Sequence, residues 1–409
     1  MADRTRPARV LIVVQNLSVP LDRRVWLECQ ALVAAGHQVA VICPREPDQP
    51  PHRMLDGVRI HTYRPPKPRS GVAGYMAEFA YCWLRTAVLS RYVHTHEGFD
   101  VLQACNPPDT YWLLGRIWRL LARKRFVYDQ HDLNPEVYVA RFGRTGVLHR
   151  ALLWLEGRTY ASADHVISTN ESYREIATTR GRVPQRATTI VRSAPDPARM
   201  RRGEPDPTLR RGREHLVCYL GIMGPQDGVD RLLDAVDHYV HVLGRTDASF
   251  GLLGFGDCLE DLKAQCTRLG LDDYVTFTGK VGPPEIARWL STASLGVTPD
   301  PVNQFNDKST MNKTLEYMAY ELPVVGFDLT ENRRSAGDAG LVVPDDDAPA
   351  LARAMADLLD DPARCAQMGA LGRKRVEDVM NWGAQVGPYV SVFADLAEPA
   401  ASRVRVTGR

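Results

Sequence analysis

The sequence predicts an α/β protein built from two doubly wound parallel sheets in tandem, each a Rossmann-like domain. Short apolar, β-branched runs alternate with amphipathic stretches along nearly the whole chain, the pattern of repeated β-α-β units. The alternation breaks once, over residues 192–213, where Pro, Arg, Gly and Asp replace any apolar period. A length of 409 residues suits two or three domains, and 44% hydrophobic with 24% charged residues is ordinary for a globular chain.

ARVLIVVQ, a helical pattern over residues 23–35 and HQVAVICP form the first β-α-β unit, with Gly36 as its helix stop. VRIHTY, FDVLQAC, RFVYDQH, HVISTN and ATTIVRS supply further strands, separated by helical sequence. A second α/β run opens at HLVCYLG and continues through ASFGLLGFG, YVTFTG, SLGVTP, LPVVGF and GLVVP. The predicted boundaries are residues 1–195 for the first domain, 196–213 for a linker and 214–380 for the second domain. A last helical pattern covers 381–396, and residues 397–409 read as a disordered tail.

A net charge of +2 gives no general case for nucleic-acid binding. The eight cysteines are scattered with no CxxC pair, which reads as reduced thiols in a cytoplasmic protein. The apolar run near the start is too short for a signal peptide or a spanning helix, and no later run reaches spanning length.

The first β-α turn, QNLSVPLDRR, lacks glycine, which argues against a nicotinamide or flavin enzyme whose phosphate turn needs close backbone approach. Within it, Asp22 reads as a helix cap beside two solvated arginines, or Arg23 and Arg24 meet a phosphate at the strand's carboxyl end. GLLGFGDCLED places Gly254 and Gly256 after a strand, a weak GxG signal. DQHDLNPE puts His131 at the carboxyl end of RFVYD, where α/β proteins bind ligands. Two aspartates and one histidine are thin evidence for a metal, so no metal site is assigned. The acidic run PDDDAPALARAM reads as the start of a helix, where carboxylates satisfy free amides.

Residues 307–328, DKSTMNKTLEYMAYELPVVGFD, carry the densest signal. SLGVTP reads as a strand, 312–320 as a helix and LPVVGF as the next strand, so Lys313 lies in a first helical turn. A cation there opposes the helix dipole by roughly 0.3 to 1 kcal/mol unless an anion is near, and such helix starts bind phosphate readily. Glu316 is three residues on and faces the same way; the pair is either a solvated intrahelical ion pair or a cation and an acceptor for phosphate and ribose.

NKTLEYMA, followed by Glu321, Pro323, Val324 and Val325, resembles the nucleotide-sugar motif of family 4 (group 1) glycosyltransferases, retaining enzymes of the GT-B fold. The resemblance runs from about residue 10 to 396, and LEGRTYASADHVISTNESYREIA also looks like this family's first domain. It implies two Rossmann-like domains facing across a cleft, with the nucleotide sugar on the second and the acceptor on the first. It also implies that the last helix crosses back to the first domain. The donor residues implied are Gly221, Gly256, Lys308, Ser309, Thr310, Met311, Asn312, Lys313 and Glu316, with Glu316 on the ribose. His131 is implied to approach the donor sugar, so His131, Lys313 and Glu316 form the catalytic set. Asp22, Arg23, Arg24, Asp132 and Glu136 are acceptor or phosphate contacts.

Two departures stand out. Ile222 and Asp227 occupy places where many members carry an arginine and a lysine for the diphosphate, and Lys308 replaces the first glutamate of the ExxxxxxxE pair. Lys313, Lys308 and Arg23 or Arg24 are then the substitutes for the missing positive charge.

The expected activity is retaining, metal-independent hexosyl transfer from a nucleotide-diphosphate sugar, UDP favoured over GDP, in polysaccharide or glycoconjugate synthesis, with no cofactor. A same-face route, in which the leaving diphosphate helps take the acceptor proton, is implied by the resemblance. YMAEFAYCWLRTAVLSRY and RIWRLLARKR read equally as core helices with basic edges or as surfaces for anionic lipid, the latter suiting a lipid-linked saccharide acceptor and peripheral contact at the inner membrane face. The rivals are a GT-B epimerase or hydrolase, which needs no acceptor, and a non-catalytic protein that binds the sugar nucleotide or membrane without turnover.

Overall fold

The computed structural model describes residues 7–66, 71–344 and 346–397. They fall into two units. The first holds the residues up to Val139, Gly143–Arg192 and those from Gln385 onward; the second holds Ala140–Phe142 and Ser193–Ala384.

In the first unit the strands are β1 (Arg9–Val13), β2 (Gln38–Pro44), β3 (His52–Leu55), β4 (Val58–Tyr63), β5 (Val101–Cys105), β6 (Arg125–Gln130), β7 (His165–Ser168) and β8 (Thr188–Ile190). They pair in the order β3-β4-β2-β1-β5-β6-β7-β8, all parallel except the β3/β4 hairpin. The strand order reverses between β1 and β5, and the carboxyl ends there form the usual ligand crevice of an open α/β sheet. Val10 to Val13 and Val39 to Ile42 are buried because crossover helices cover both sheet faces.

The first helix, Arg23–Ala34, starts where Asp22 Oδ1 accepts from the Val25 amide at 3.1 Å. It ends before Gly36, whose φ of +88° suits glycine. The edge strand β3 was not predicted: HRML is half polar, although Asp56 and Gly57, with φ of 46° and 81°, are the expected chemistry of a two-residue hairpin turn.

The second unit contains β9 (His215–Ile222), β10 (Ala248–Phe255), β11 (Val275–Gly279), β12 (Leu295–Thr298), β13 (Val324–Phe327) and β14 (Gly340–Val343). They form an all-parallel sheet in the order β11-β10-β9-β12-β13-β14, which reverses between β9 and β12. Leu232, Val236, Tyr239, Leu351 and Met355 belong to one core cluster and Trp289, Leu290, Leu315, Tyr317 and Met318 to another, all from helices. Gly296 admits the Tyr317 ring, which a Cβ would meet at 2.4 Å. The Tyr317 hydroxyl donates to Val297 O at 3.2 Å and accepts from the Leu220 amide at 2.7 Å, so this helix residue ties β9 to the strand beside it.

The connecting stretch 196–213 lies within the second unit. Gly203 and Asp206 donate their amides to Ser291 Oγ and Thr292 Oγ1 at 2.9 and 2.8 Å, and Arg202 reaches Ala293 O at 3.0 Å. From Gln385 onward the last helix, Trp382–Ala397, is part of the first unit: Gln385 Oε1 accepts from the Arg192 amide at 3.1 Å and Tyr389 Oη donates to Gln103 Oε1 at 2.8 Å. Of the tail predicted as disordered over 397–409, Ala397 instead ends the last helix and 398–409 lie outside the described residues, as does Asp345 of the acidic run. Asp347 of that run caps the Ala348–Leu359 helix by accepting from the Ala350 amide at 3.0 Å.

Candidate active site

Each sheet carries a buried ion cluster near the carboxyl ends of its strands. In the second unit, β12 runs into Asp300, and the Asn312–Ala319 helix follows after a one-turn 3-10 segment, Asn306–Lys308. Lys313, buried in the helix's first turn, places Nζ 2.7 Å from Asp300 Oδ1 and 4.8 Å from the centre of the Tyr219 ring. This is the anion that a cation at a helix start calls for. Lys313 therefore pairs with Asp300 rather than in the solvated pair with Glu316 that was one of the two sequence readings.

Asp227 adds a second carboxylate, with Oδ2 accepting from the Gly224 amide at 2.9 Å. Burial pushes its pKa up to about 6, with the Asp300 charge adding and Lys313 opposing. Burial pulls the Lys313 ammonium down, but Asp300 and Asp227 outweigh it and raise it overall. Among the described residues Asp300 Oδ2 is buried with no hydrogen-bond partner, an electrostatic demand still open in this cluster.

The glycines of this region are there for close approach. A Cβ on Gly221 would meet Tyr219 Oη at 2.9 Å and Lys313 Cε at 3.2 Å, and one on Gly256 would meet Met223 O at 2.5 Å. At the ends of β9 and β10 a cavity of about 460 Å³ is lined by residues including Ile222, Gly224, Phe255 and Gly256. Glu316 is half-buried one turn after Lys313, Asn312 is exposed, and Lys308, Thr310 and Met311 are partly exposed. Ser309 is buried and donates its hydroxyl to Phe305 O at 2.8 Å, which shapes the loop before the helix.

The first unit's cluster was legible only at its edge. Arg24, expected as a phosphate contact, is instead locked inward. Its Nη2 meets Asp129 Oδ1 at 3.0 Å, Nε lies 3.1 Å from Glu28 Oε1 and from His131 Nε2, and Nη1 donates to Val191 O at 2.8 Å. A guanidinium buried among fixed acceptors is not available to an incoming phosphate. Arg23 is exposed, and Asp22 spends its carboxylate on the helix cap.

His131 follows β6, with Nε2 2.8 Å from Asp129 Oδ2 and its amide donating to Asn106 Oδ1 at 2.6 Å. Burial alone would raise Asp129, but Arg24 and His131 hold it below the usual carboxylate range. Glu28 is pushed well above that range by burial and by the Asp129 charge, against Arg24. Gln103 Nε2 donates to Glu28 Oε2 at 2.8 Å and to Asp129 Oδ2 at 2.9 Å.

Cys105, Asp129 and His131 bring ligand atoms within 4.8 Å of one another, but the Arg24 guanidinium already stands against Asp129 and His131. A metal ion would have to displace that cation. Glu136, expected to touch the acceptor, is a buried partner of Arg180 at 2.6 Å, and Arg180 also reaches Glu156 at 2.7 Å. Asp132 is partly exposed, and burial raises its pKa against the nearby His131.

Asp300, Asp129, Glu28, Gln103 and Tyr389 were missed as site residues. Gln103 inside an apolar strand and Glu28 within the buried stripe of Val25, Cys29 and Leu32 are the signals that sequence offered.

Two parallel-sheet α/β units with polar clusters at the carboxyl ends of their strands define a GT-B type of transferase scaffold. Residues 21–192 match the model of a glycosyl transferase 4-like domain and residues 214–361 that of glycosyl transferases group 1. The chain belongs to the group 1, family 4 glycosyltransferases, and its activity class is sugar transfer. Among its relatives, D-inositol 3-phosphate glycosyltransferase 1 of Catenulispora acidiphila is 26% identical over 75% of this chain and 74% of its own length. A GDP-mannose-dependent alpha-(1-6)-phosphatidylinositol monomannoside mannosyltransferase of Mycolicibacterium smegmatis is 29% identical over 49% of this chain and 53% of its own. In fold, the chain is similar to sucrose-phosphate synthase from Thermosynechococcus elongatus, with a TM-score of 0.74 and 19% identity over 96% of this chain and 99% of that one. Anabaena Alr3699/HepE, solved with UDP and glucose, gives 0.68 and 15% identity over 97% of this chain and all of that one (100%).

Proposed function

We propose that this glycosyltransferase binds a nucleotide-diphosphate sugar on its second unit and transfers the hexosyl group, with retention and without a metal, to an acceptor held by its first. The observation that carries the donor reading is the Asn312–Ala319 helix. It opens after β12 at the sheet's point of reversal, presents Glu316 one turn in, and lies beside the Gly221 cradle. Backbone amides of the 307–311 loop and Lys308 supply donors to the phosphates, and Lys313 contributes as one member of a neutralised cluster. Glu316 accepts from ribose hydroxyls. UDP is the favoured carrier, and the GDP-mannose dependence of the mycobacterial relative makes GDP the second reading. Retention follows the same-face route, in which positioning and stabilisation of the leaving diphosphate provide the rate.

Calorimetry with UDP and GDP tests this directly. Glu316→Ala weakens the preferred nucleotide about tenfold, the loss expected when a charged acceptor of a ribose hydroxyl is removed. Unchanged affinity overturns the ribose assignment.

The acceptor reading is a lipid-linked saccharide met at a membrane surface. Among the described residues no helix is long and apolar enough to cross a membrane. On the Trp112–Ala122 helix, however, Leu120 and Leu121 are 81% and 73% exposed beside Arg116 and Arg123. The Gly71–His96 helix exposes Leu84 and Val88 with Arg85 and Arg91. Apolar side chains set among arginines suit an anionic lipid surface. Co-sedimentation with vesicles containing phosphatidylglycerol, lost in Leu120→Glu/Leu121→Glu and absent with phosphatidylcholine alone, is the expected result; no retention on either vesicle contradicts it.

A further inference from the structure

Asp227 and Asp300 approach Lys313 from two separate loops, the first between β9 and the Val229–Asp237 helix, the second after β12. Like charges gathered around one ammonium repel, so the loops have to be held against that repulsion. The buried side chain of Asn306 joins them. Its Nδ2 donates to Gln226 O at 2.9 Å and to Pro301 O at 2.8 Å. Gln226 immediately precedes Asp227 and Pro301 immediately follows Asp300, so both hydrogens of one amide are spent on the two segments that carry the acids. Turning the amide over would set its oxygen against two carbonyl oxygens, which leaves one orientation.

The contact between the loops is close as well as polar. Gly228, with φ of +66°, lies where a Cβ would meet Pro299 O at 2.0 Å. Asn303 Oδ1 accepts from the Phe305 and Asn306 amides at 3.0 and 2.9 Å, a turn that brings the chain into the Asn306–Lys308 segment. That segment leads straight into the 307–311 loop, and Gln226 helps to line the cavity of about 460 Å³ at the ends of β9 and β10. One buried amide thus connects the loop before the donor helix, the cavity wall and both carboxylates.

We propose that Asn306 is a positioning residue of the donor site: its amide clasps the loops of Asp227 and Asp300 and so sets how closely the two carboxylates stand around Lys313. The proposal rests on the reading that the donor diphosphate binds along the 307–311 loop. The groups that act on Asp227 or feel its charge come from every side: Lys313 on the donor helix, Asp300 after β12, the Gly224 amide in its own loop, Tyr219 on β9, and Cys258 just before the Leu259–Arg268 helix.

The test uses the full chain with Asn306→Leu, which keeps the volume and removes both donors, and Asn306→Ala, which removes the clasp outright. The 13C signal of the Asp227 side-chain carboxyl, followed without ligand, gives its titration midpoint, and calorimetry gives the affinity for UDP-glucose and GDP-mannose. In wild type the midpoint lies near 6, because the site is buried. In both variants the loop opens to water and the midpoint falls toward the ordinary carboxylate range. Glu156, which burial pushes up to about 7 in the first unit, keeps its own midpoint. Wild type binds the preferred donor about fivefold tighter at pH 5.5 than at pH 7.5, and this gain disappears in the variants as the titration moves below that window.

A wild-type Asp227 midpoint in both variants overturns the proposal, whatever happens to stability. Equal displacement of Glu156 overturns it as well, since it marks a general loosening of the chain. A displaced Asp227 midpoint, together with a wild-type donor affinity that does not respond to pH, removes the diphosphate from beside Asp227 and leaves the clasp standing.

Discussion

The two units solve one electrostatic problem in different ways. Each sets a single cation between two carboxyl groups near the carboxyl ends of a parallel sheet: Arg24 between Asp129 and Glu28, and Lys313 between Asp300 and Asp227. Around Arg24 the planar fork reaches both acids and a carbonyl and Gln103 ties the acids together, although Glu28 Oε1, 3.1 Å from Arg24 Nε, is buried without a hydrogen-bond partner among the described residues. Burial and the Asp129 charge push the Glu28 carboxyl well above its ordinary range, against Arg24, and the three groups are linked through Gln103 and the guanidinium. The Lys313 cluster stays open. Among the described residues Asp300 Oδ2 is buried without a donor, and burial pushes Asp227 up to about 6 near a cavity that Gly224 and Gly256 help to line. A closed network fixes the position of a neighbour, here His131, whereas an open one responds to the charge of what binds beside it.

Removing each cation gives the largest effects and breaks the comparison if the two losses are equal. Arg24→Met strands Asp129, Glu28 and the Val191 carbonyl, and urea unfolding at pH 7 shows a loss of about 4 kcal/mol, typical of breaking a buried pair from one side. Lys313→Met strands chiefly Asp300, while Asp227 loses the cation that opposes its burial and is pushed further up toward the neutral acid; the expected loss is about 2 kcal/mol. Equal losses would mean that the second cluster is as closed as the first.

The strands and helices were legible because both sheets are parallel and covered on two faces, so each strand is a continuous apolar run; β3, at an edge and half polar, left only its Asp56-Gly57 turn as a trace. Of the candidate site, what could be read was the placement of residues on one element, as with Lys313 and Glu316 on one helix. The site was illegible where partners converge from distant elements. Nothing in NKTLEYMA says that Asp300 will neutralise Lys313, since that depends on where β12 ends. The inward turn of Arg24 depends on Asp129, 105 residues away, and Tyr389 reaches Gln103 across 286 residues. Pairings of that range are set by topology, and a one-dimensional pattern of charges reads equally as solvated or buried.

The smallest effect sharpens the contrast most, because it concerns one proton. The folded pKa of Asp227, about 6, lies above its unfolded value of roughly 3.9, so the folded protein holds this proton more tightly. The contribution to stability is complete below the unfolded value and is lost as pH rises through about 6. A diphosphate arriving beside an ionised Asp227 meets a like charge and raises that pKa further, so donor binding takes up a proton and strengthens as pH falls from about 7.5 to about 5.5. Asp227→Asn removes the charge with little change of shape. Calorimetry on the variant shows UDP or GDP bound about fivefold tighter near pH 7.5, from roughly 1 kcal/mol of relieved repulsion at a partly solvated site, while the parent nucleoside binds as before. The pH dependence flattens in the same variant. If the nucleoside gains as much as the diphosphate, Asp227 shapes the pocket without sensing phosphate charge, and the second cluster is as indifferent to its ligand as the first.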